Sequence, residues 1–559
     1  MLKDNVTSNT SSPACQVLVI GLDGVTFDLI EPWAEAGHLP NLARLMAEGS
    51  WGRIRSTIPP NSAPAWSTFA TGILPGRHGI YYFVGPSRDN KYFRPVSAES
   101  IHGRTLWELI GEQGRRVGML NVPMTYPPRP VNGYMIAGML SPDARSAFWP
   151  PELYEEVVHR CGDYVLRVAP QQDRRAFLEK LLAGMEYRCK VAEYLMEHHP
   201  VDFFMVVFRM IDTVMHRYWA DMDSHHPLHA SLGNSAIPDA ILSGYRLLDE
   251  AVGRLVAKAG SDITVFLMSD HGFRAEYRCF AVNKWLRDRG LLTLRRGRVT
   301  LLSMIGEWTE RLHLEMALKA VAKRMLRRLG EGERYEPMLY QAVDWPRTRV
   351  VFGPTLGFNI NLRGRDFWGV VPPSEYEALR DRLIEELKAV RDPKTGLPVV
   401  AEVYRREEIY EGEALDLAPD LIPEMAEYTT NGRRWGFGPA KSLGGLAGWR
   451  DFTLPSRRIT ATHTSEGIFI AHGPHIQNGE VNGLHIADMA PTALYAMGLA
   501  IHSAMDGQVR TELFDPQYVA AHPVQYEDVD VAAAGKIGQV MSDEHERVLE
   551  ERLRDLGYL

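Results

Sequence analysis

With 559 residues, 45% of them hydrophobic and 24% charged, the chain can form a large α/β core and at least one further region, because a single core rarely grows past about 300 residues. A formal net charge of -8 supplies no basic field for holding a nucleic-acid backbone, which excludes nucleic acid as a bulk partner. No apolar run approaches the roughly 20 residues that cross a bilayer, the best candidates having strand length, so membrane insertion is not expected.

In chain order, residues 1–15 are polar, rich in Ser, Thr and Asn, and lack the basic start and apolar stretch of a secretory signal. They read as a frayed tail. Val17-Leu-Val-Ile20 is a β-branched apolar run that stops at Gly21-Leu-Asp-Gly24, the pattern of a buried parallel strand with Asp23 at its carboxyl end. Similar runs recur at Val201 to Phe208 and Asp262 to Met268, followed by Asp212 to His216 and by Ser269-Asp-His-Gly272. Helical patterns at Arg174 to His198 and Ile241 to Ala259 separate them, the alternation that a parallel sheet requires. From about Phe273 the composition changes, with basic stretches at Leu294 to Arg298 and Lys319 to Arg328, a strand near Arg349 to Phe352 and an amphipathic helix from Glu375 to Val390. Gly467 to His472 then reads as another core strand and Ile486 to Met497 as a helix. The expected organisation is a core of residues 16–272 and 441–515, a smaller α+β insertion at 273–440 and a helix-prone C-terminal extension at 516–559. The four cysteines, Cys15, Cys161, Cys189 and Cys279, are scattered and form no C-x-x-C pair. That fits reduced thiols and a cytoplasmic protein.

Six potential metal ligands and one hydroxyl stand out: Asp23, Asp212, His216, Asp270, His271, His463 and Ser62. Carboxylates mixed with imidazoles suit zinc or manganese. Asp212 and His216 are four residues apart, which on a helix puts both on one face within reach of one ion. Asp270 and His271 are adjacent, so they point at two ions or approach one from a loop. Ser62 lies in Pro60-Asn-Ser-Ala-Pro-Ala-Trp66, where Pro64 suits the first turn of a helix that Gly72 ends. A hydroxyl there faces backbone N–H groups and a dipole that favour an anion such as phosphate. Each feature also has a plain structural reading. Asp23 can cap a loop, Asp212 and His216 can be a solvated helix face, and His463 is one of 19 histidines. His78 can bind phosphate but more readily stabilises its turn, and His225 and His226 read as loop residues.

Taken in order, Gly21-Leu-Asp-Gly24, the Pro59 to Ile80 segment ending in T-G-x-x-P-x-x-H-G-I, Asp212-x-x-x-His216, Ser269-Asp-His-Gly272 and His463 resemble the alkaline phosphatase superfamily. Within it the match is to the type I phosphodiesterase/nucleotide pyrophosphatase branch and its predicted phosphohydrolase or phosphomutase members. Asn283-Lys-Trp-Leu286, Asn361 to Arg365, Tyr404 to Tyr410, Ala487 to Thr492 and Met505-Asp-Gly507 extend the likeness over about residues 16–510. The resemblance implies a three-layer α/β/α fold with a mostly parallel central sheet, acting on a small-molecule phosphate ester. It also implies two divalent ions, zinc first and manganese second. One is held by Asp212, His216 and His463, the other by Asp23, Asp270 and His271 with Ser62 as bridging nucleophile. A covalent phospho-Ser62 intermediate that water then splits is implied as well.

The sequence departs from the family pattern where an Asn, three residues after H-G-I, helps to hold the phosphoryl oxygens: that position is Phe83. The backbone at Ala63, or Arg363 or Arg365 of the insertion, are the substitutes that the sequence offers. Three rival readings remain. Ser62-Ala-Pro64 is similar to the start of the sulfatase C/S-x-P-x-R motif, but Trp66 stands where that motif needs Arg. A phosphomutase would pass the phosphoryl group from serine to another hydroxyl, and a scaffold would keep the fold without catalysis.

Overall fold

The computed structural model describes residues 16–86, 93–295, 343–427, 434–437, 453–455, 460–528, 547–550 and 553. At its centre lies a ten-stranded sheet. From one edge its order is Gly479–Glu480, Ser50–Arg55, Glu466–His472, Thr264–Met268, Val17–Leu22, Phe203–Phe208, Val117–Leu120, Gly133–Ile136 and Phe148–Trp149, with Leu484–His485 also on Ser50–Arg55. The five strands from Thr264–Met268 to Gly133–Ile136 run parallel. Glu466–His472 is antiparallel to both its neighbours.

The three-layer arrangement follows from the two-residue period of the central strands. In VLVIGL and FFMVVF every residue is buried. Leu18, Ile20, Phe204 and Val206 point into one apolar cluster, and Val17, Val19, Phe203 and Met205 into another. The helices Arg174–His198, Met210–Met222 and Ala240–Ala259 cover the first face; Ser62–Thr71, Leu106–Glu112 and Met489–Ala496 cover the second. A strand buried on both faces must be apolar throughout, which is why these runs stand out in the sequence. The expected α/β/α fold is the observed one.

Gly272–Phe280 leaves the core: its first residues pair antiparallel with Ala461–Thr464, bringing Phe273 opposite His463. Beyond it, a four-stranded antiparallel sheet (Val350–Phe352, Phe358–Ile360, Leu421–Met425, Val400–Arg405) and the helix Pro373–Lys388 enclose a separate apolar cluster that includes Phe280, Trp285, Leu383 and Leu421. The Asn283 carboxamide ties this region to its own entry point, donating to Phe352 O at 3.0 Å and accepting from Phe352 N at 2.9 Å. The basic stretch at 319–328 and the expected return to the core near residue 441 lie outside the described residues. In the C-terminal extension, Leu549 and Leu553 are buried in the larger core cluster.

Candidate active site

Three adjacent parallel strands end side by side, and each delivers site residues at its carboxyl end, where open α/β sheets hold ligands. Val17–Leu22 is followed by Asp23, Phe203–Phe208 by the helix Met210–Met222 with Asp212 and His216, and Thr264–Met268 by Asp270 and His271. His463 arrives from Ala461–Thr464. Ser62 opens its helix, with the Asn61 side chain accepting from Ala63 N at 3.3 Å as N-cap. Gly72 closes that helix at φ 68 with its N–H on Thr68 O. Asp506 N and Gly507 N both donate to Gly72 O, which fixes the helix end from the Met505-Asp-Gly507 segment.

The six candidate ligands and Ser62 thus come together. Asp212 Oδ1 lies 3.3 Å from His216 Nε2 and 3.2 Å from His463 Nε2, and those two nitrogens are 3.0 Å apart. Asp23, Asp212 and His271 form a second group, with ligand atoms within 4.8 Å of one another. Asp270 Oδ2 is 3.3 Å from His271 Nε2, and Ser62 Oγ is 3.2 Å from the same nitrogen. Asp212 therefore lies between the two sets that the resemblance keeps apart.

The donor chemistry of this cluster fits cations. The Nδ1 atoms of His216, His463 and His271 lie 2.8, 3.2 and 3.2 Å from the carbonyls of Ala461, Pro60 and Gly272. A carbonyl can only accept, so each Nδ1 carries the proton and each Nε2 turns a lone pair inward, the tautomer that a metal requires. Asp23 Oδ1 and Asp270 Oδ2 are buried with no hydrogen-bond partner among the described residues, an arrangement that costs free energy unless a cation completes it. Burial, with Asp270 and Asp212 close by, holds the Asp23 carboxyl well above the usual carboxylate range. Burial pushes Asp270 up to about 7. Burial also acts to raise Asp212, but His216 and His463 outweigh it and hold that carboxyl well below its ordinary value. Burial, reinforced by His463, keeps His271 neutral far below the usual imidazole range.

Backbone and side-chain groups around the candidate ligands fix this geometry. Gly24, at φ 73, turns its N–H onto Asp270 Oδ1 at 3.1 Å. Ser269 Oγ accepts from Ile468 N at 2.8 Å, and Ser56 Oγ donates to Asp270 O at 2.5 Å. Trp66 Nε1 donates to Asp23 Oδ2 at 3.4 Å, and Arg209 Nη1 lies 3.6 Å from Asp212 Oδ2. Gly24 and Ser269 belong to the motifs themselves and Arg209 lies one turn from Asp212, whereas Ser56 has no local signature and Trp66 left a trace only as a departure from the sulfatase pattern.

The phosphate-clamp suggestions fare differently. Phe83 is wholly buried in the core cluster, so its side chain lines no open pocket. Arg365 is held inside the insertion, its guanidinium on Asp420 at 2.5 and 2.9 Å and on Ile360 O at 2.6 Å. Asp420 is buried there, which makes Arg365 a packing cation and corrects its assignment as a clamp. Arg363 is an exposed side chain, 3.4 Å from Val370 O. His78 does brace its turn, accepting from Ile80 N at 3.1 Å through Nδ1 and bonding Thr68 Oγ1 at 2.9 Å through Nε2. His226 is a loop residue but a buried one, with Nε2 on Glu276 O at 2.9 Å.

The model of the type I phosphodiesterase / nucleotide pyrophosphatase family matches residues 17–432. The chain belongs to this family. It is a hydrolase of phosphoric ester bonds. No curated protein matches the chain. Among solved structures, phosphonoacetate hydrolase from Sinorhizobium meliloti 1021, in complex with phosphonoformate, is 16% identical, with 87% of this chain and 95% of that one covered at a TM-score of 0.53. Human ectonucleotide pyrophosphatase / phosphodiesterase 5 is 13% identical over 89% of this chain and 100% of its own, at a TM-score of 0.45. At 16% identity the hydrolase shares the fold of this phosphodiesterase-family chain. No helix among the described residues is long and apolar enough to cross a membrane.

Proposed function

We propose that this family member hydrolyses a small phosphodiester through a covalent phospho-Ser62 intermediate at a site for two divalent cations, zinc first and manganese second. The observation that carries the reading is the inward convergence of three Nε2 lone pairs and two unpartnered buried carboxylate oxygens beside one hydroxyl at a helix N-terminus. Asp212, His216 and His463 would hold one ion, and Asp23, Asp270 and His271, with Ser62, the other. When bound, such a pair supplies Lewis acidity and draws off charge from the attacking and leaving oxygens of an in-line displacement.

The chain's own residues do the rest. The N-terminal dipole of helix Ser62–Thr71 favours negative charge on the Ser62 oxygen and on the phosphoryl group. Ser62 Oγ forms a bond to phosphorus as the ester P–O bond breaks, and the serine proton ends on the departing alcohol. Water then splits the phospho-serine, restoring the hydroxyl and releasing the phosphorylated product. His271, kept neutral by burial, cannot take part as an imidazolium and remains a donor of its lone pair. Reduced thiols support a cytoplasmic location: Cys161, Cys189 and Cys279 are free and buried.

The test compares turnover of an aryl phosphodiester with its monoester, alongside metal analysis, for the wild type and Ser62→Ala. The wild type should prefer the diester, and Ser62→Ala should be nearly inert with its metal retained. Turnover unchanged in Ser62→Ala would remove the serine from the mechanism, and a wild type without stoichiometric metal would favour a scaffold.

A further inference from the structure

Asp23 follows directly on a central strand, and its carboxylate is fully buried. A buried carboxylate that ligates a cation needs its second oxygen fixed, or the ligand swings and affinity falls. Among the described residues, the one hydrogen bond to this group comes from the Trp66 indole, whose Nε1–H reaches Oδ2 at 3.4 Å. Oδ1 is thereby left without a hydrogen-bond partner among the described residues, 3.9 Å from His271 Nε2.

Two further facts make this more than core packing. Trp66 stands four residues after Ser62 on the same helix, so one rigid element carries the hydroxyl and, one turn on, the donor that aims Asp23. That helix is fixed at both ends, by Asn61 and by the Gly72 contacts with Asp506 and Gly507. The neighbouring strand also makes room for the ring: a Cβ on Gly21 would meet Trp66 Cη2 at 2.6 Å and Val207 Cγ2 at 2.9 Å. The glycine of Gly21-Leu-Asp-Gly24 thus serves the indole, two residues before the carboxylate that the indole orients. Phe69 meets the ring edge-on, with centroids 5.7 Å apart. Indole is a neutral donor, so it orients Asp23 without neutralising it. An Arg at this position, as in the sulfatase motif, would form an ion pair with Asp23 and compete with the cation for its charge.

We infer that Trp66 is a positioning residue of the cation site, holding Asp23 Oδ2 through its indole N–H so that Oδ1 faces His271, and that Gly21 is the space this indole requires. The inference rests on the two-cation reading above. It places the coupling between nucleophile and metal ligand in a single helical turn.

The test measures divalent-metal affinity of the full-length protein by competition with a chromophoric chelator, using zinc and then manganese. Trp66→Phe keeps a ring and removes the donor, and should weaken binding about 10- to 100-fold, the range for loss of a hydrogen bond to a ligating group. Activity should return when metal is raised to saturation. Gly21→Ala, which displaces the ring and keeps the N–H, should weaken binding in the same direction. In the double variant the smaller ring relieves the clash, so the two losses should combine to less than their sum. Leu549→Ala, a packing control in the other apolar cluster, should lower the melting temperature and leave affinity unchanged. Wild-type affinity in Trp66→Phe, or full additivity in the double variant, overturns the inference. If Trp66→Phe fails to fold, Gly21→Ala decides alone, and wild-type affinity there overturns it. A wild type that binds no metal sinks the parent reading, whereas tight wild-type binding that Trp66→Phe matches sinks only this one.

Discussion

Asp270→Asn in metal-free protein should reveal that the site is bought at the expense of stability. Asp270 is fully buried; Gly24 N–H bonds its Oδ1, and Oδ2 has no hydrogen-bond partner among the described residues. Burial lifts its pKa from 3.8 to about 7. Between those values the folded protein binds a proton that the unfolded chain has lost, so stability contributed by the protonated acid is complete below about pH 4 and is lost as pH rises through 7. At about 1.4 kcal/mol per pKa unit the loss comes to about 4 kcal/mol. Asp23 is shifted in the same direction by burial and by Asp270, so the two carboxyls titrate as a set and the decline is broad. Asparagine keeps an acceptor for Gly24 N–H and has nothing to ionise. Denaturant unfolding of chelator-treated wild type and Asp270→Asn from pH 4 to 8 should show the variant gaining on the wild type with rising pH, by about 4 kcal/mol at pH 8. Comparing the two proteins cancels the opposite trend from buried histidines. Added zinc should restore and exceed wild-type stability while helping the variant far less. A difference between the two that stays flat with pH, or a variant less stable than the wild type at pH 8 without metal, would refute the argument.

Burial holds the imidazole of His78 down at about 3, so its contribution is present above about pH 6.5 and is lost as pH falls towards 3, a change of about 5 kcal/mol. His78→Asn should therefore be less stable at pH 7, through lost bonds to Thr68 and Ile80, and the deficit should shrink as unfolding is measured at lower pH; a widening deficit contradicts this. Leu549 is wholly buried in the larger core cluster, so Leu549→Ala should cost about 2–5 kcal/mol in an unfolding titration, and a cost below about 0.5 kcal/mol would remove the C-terminal segment from the core.

The sequence shows most clearly what depends on local periodicity. Arg174–His198 is a helix to the residue, and Ala240–Ala259 and Pro373–Lys388 differ from expectation by one to two residues at their ends. Asp262 and Ile263 precede the strand Thr264–Met268, because pairing with Val17–Leu22 begins at Thr264. Ile486 to Met497 opens with a 3-10 turn, Ile486–Asp488, where the His485 side chain caps Ala487 N before the α-helix begins at Met489. Cap geometry of that kind is a matter of side-chain hydrogen bonds, and hydropathy does not record it. Arg365 failed as a phosphate clamp for a related reason: besides its neighbour Asp366 it pairs with Asp420, which lies 55 residues away and is buried, and nothing in the sequence signals that second, buried partner.

The site itself divides along the same line. Asp212 and His216 could be paired from their spacing because helical geometry fixes it, and Asp23, Asp270 and His271 could be placed because parallel strands deliver their carboxyl ends to one edge. His463 is of another kind. It reaches the cluster through the pairing of Ala461–Thr464 with Gly272–Phe280, a register that sets His463 opposite Phe273. A slip of one residue would turn its ring to the other face. Its Nδ1 bond to Pro60 O and its ring stacked on His271 at 3.6 Å hold that register from both sides. The imidazole is thus locked by the segment just before Ser62 and by His271, so on the proposed two-cation reading loss of His463 should disturb both positions, whereas loss of His216, whose Nδ1 lies on Ala461 O, should disturb one.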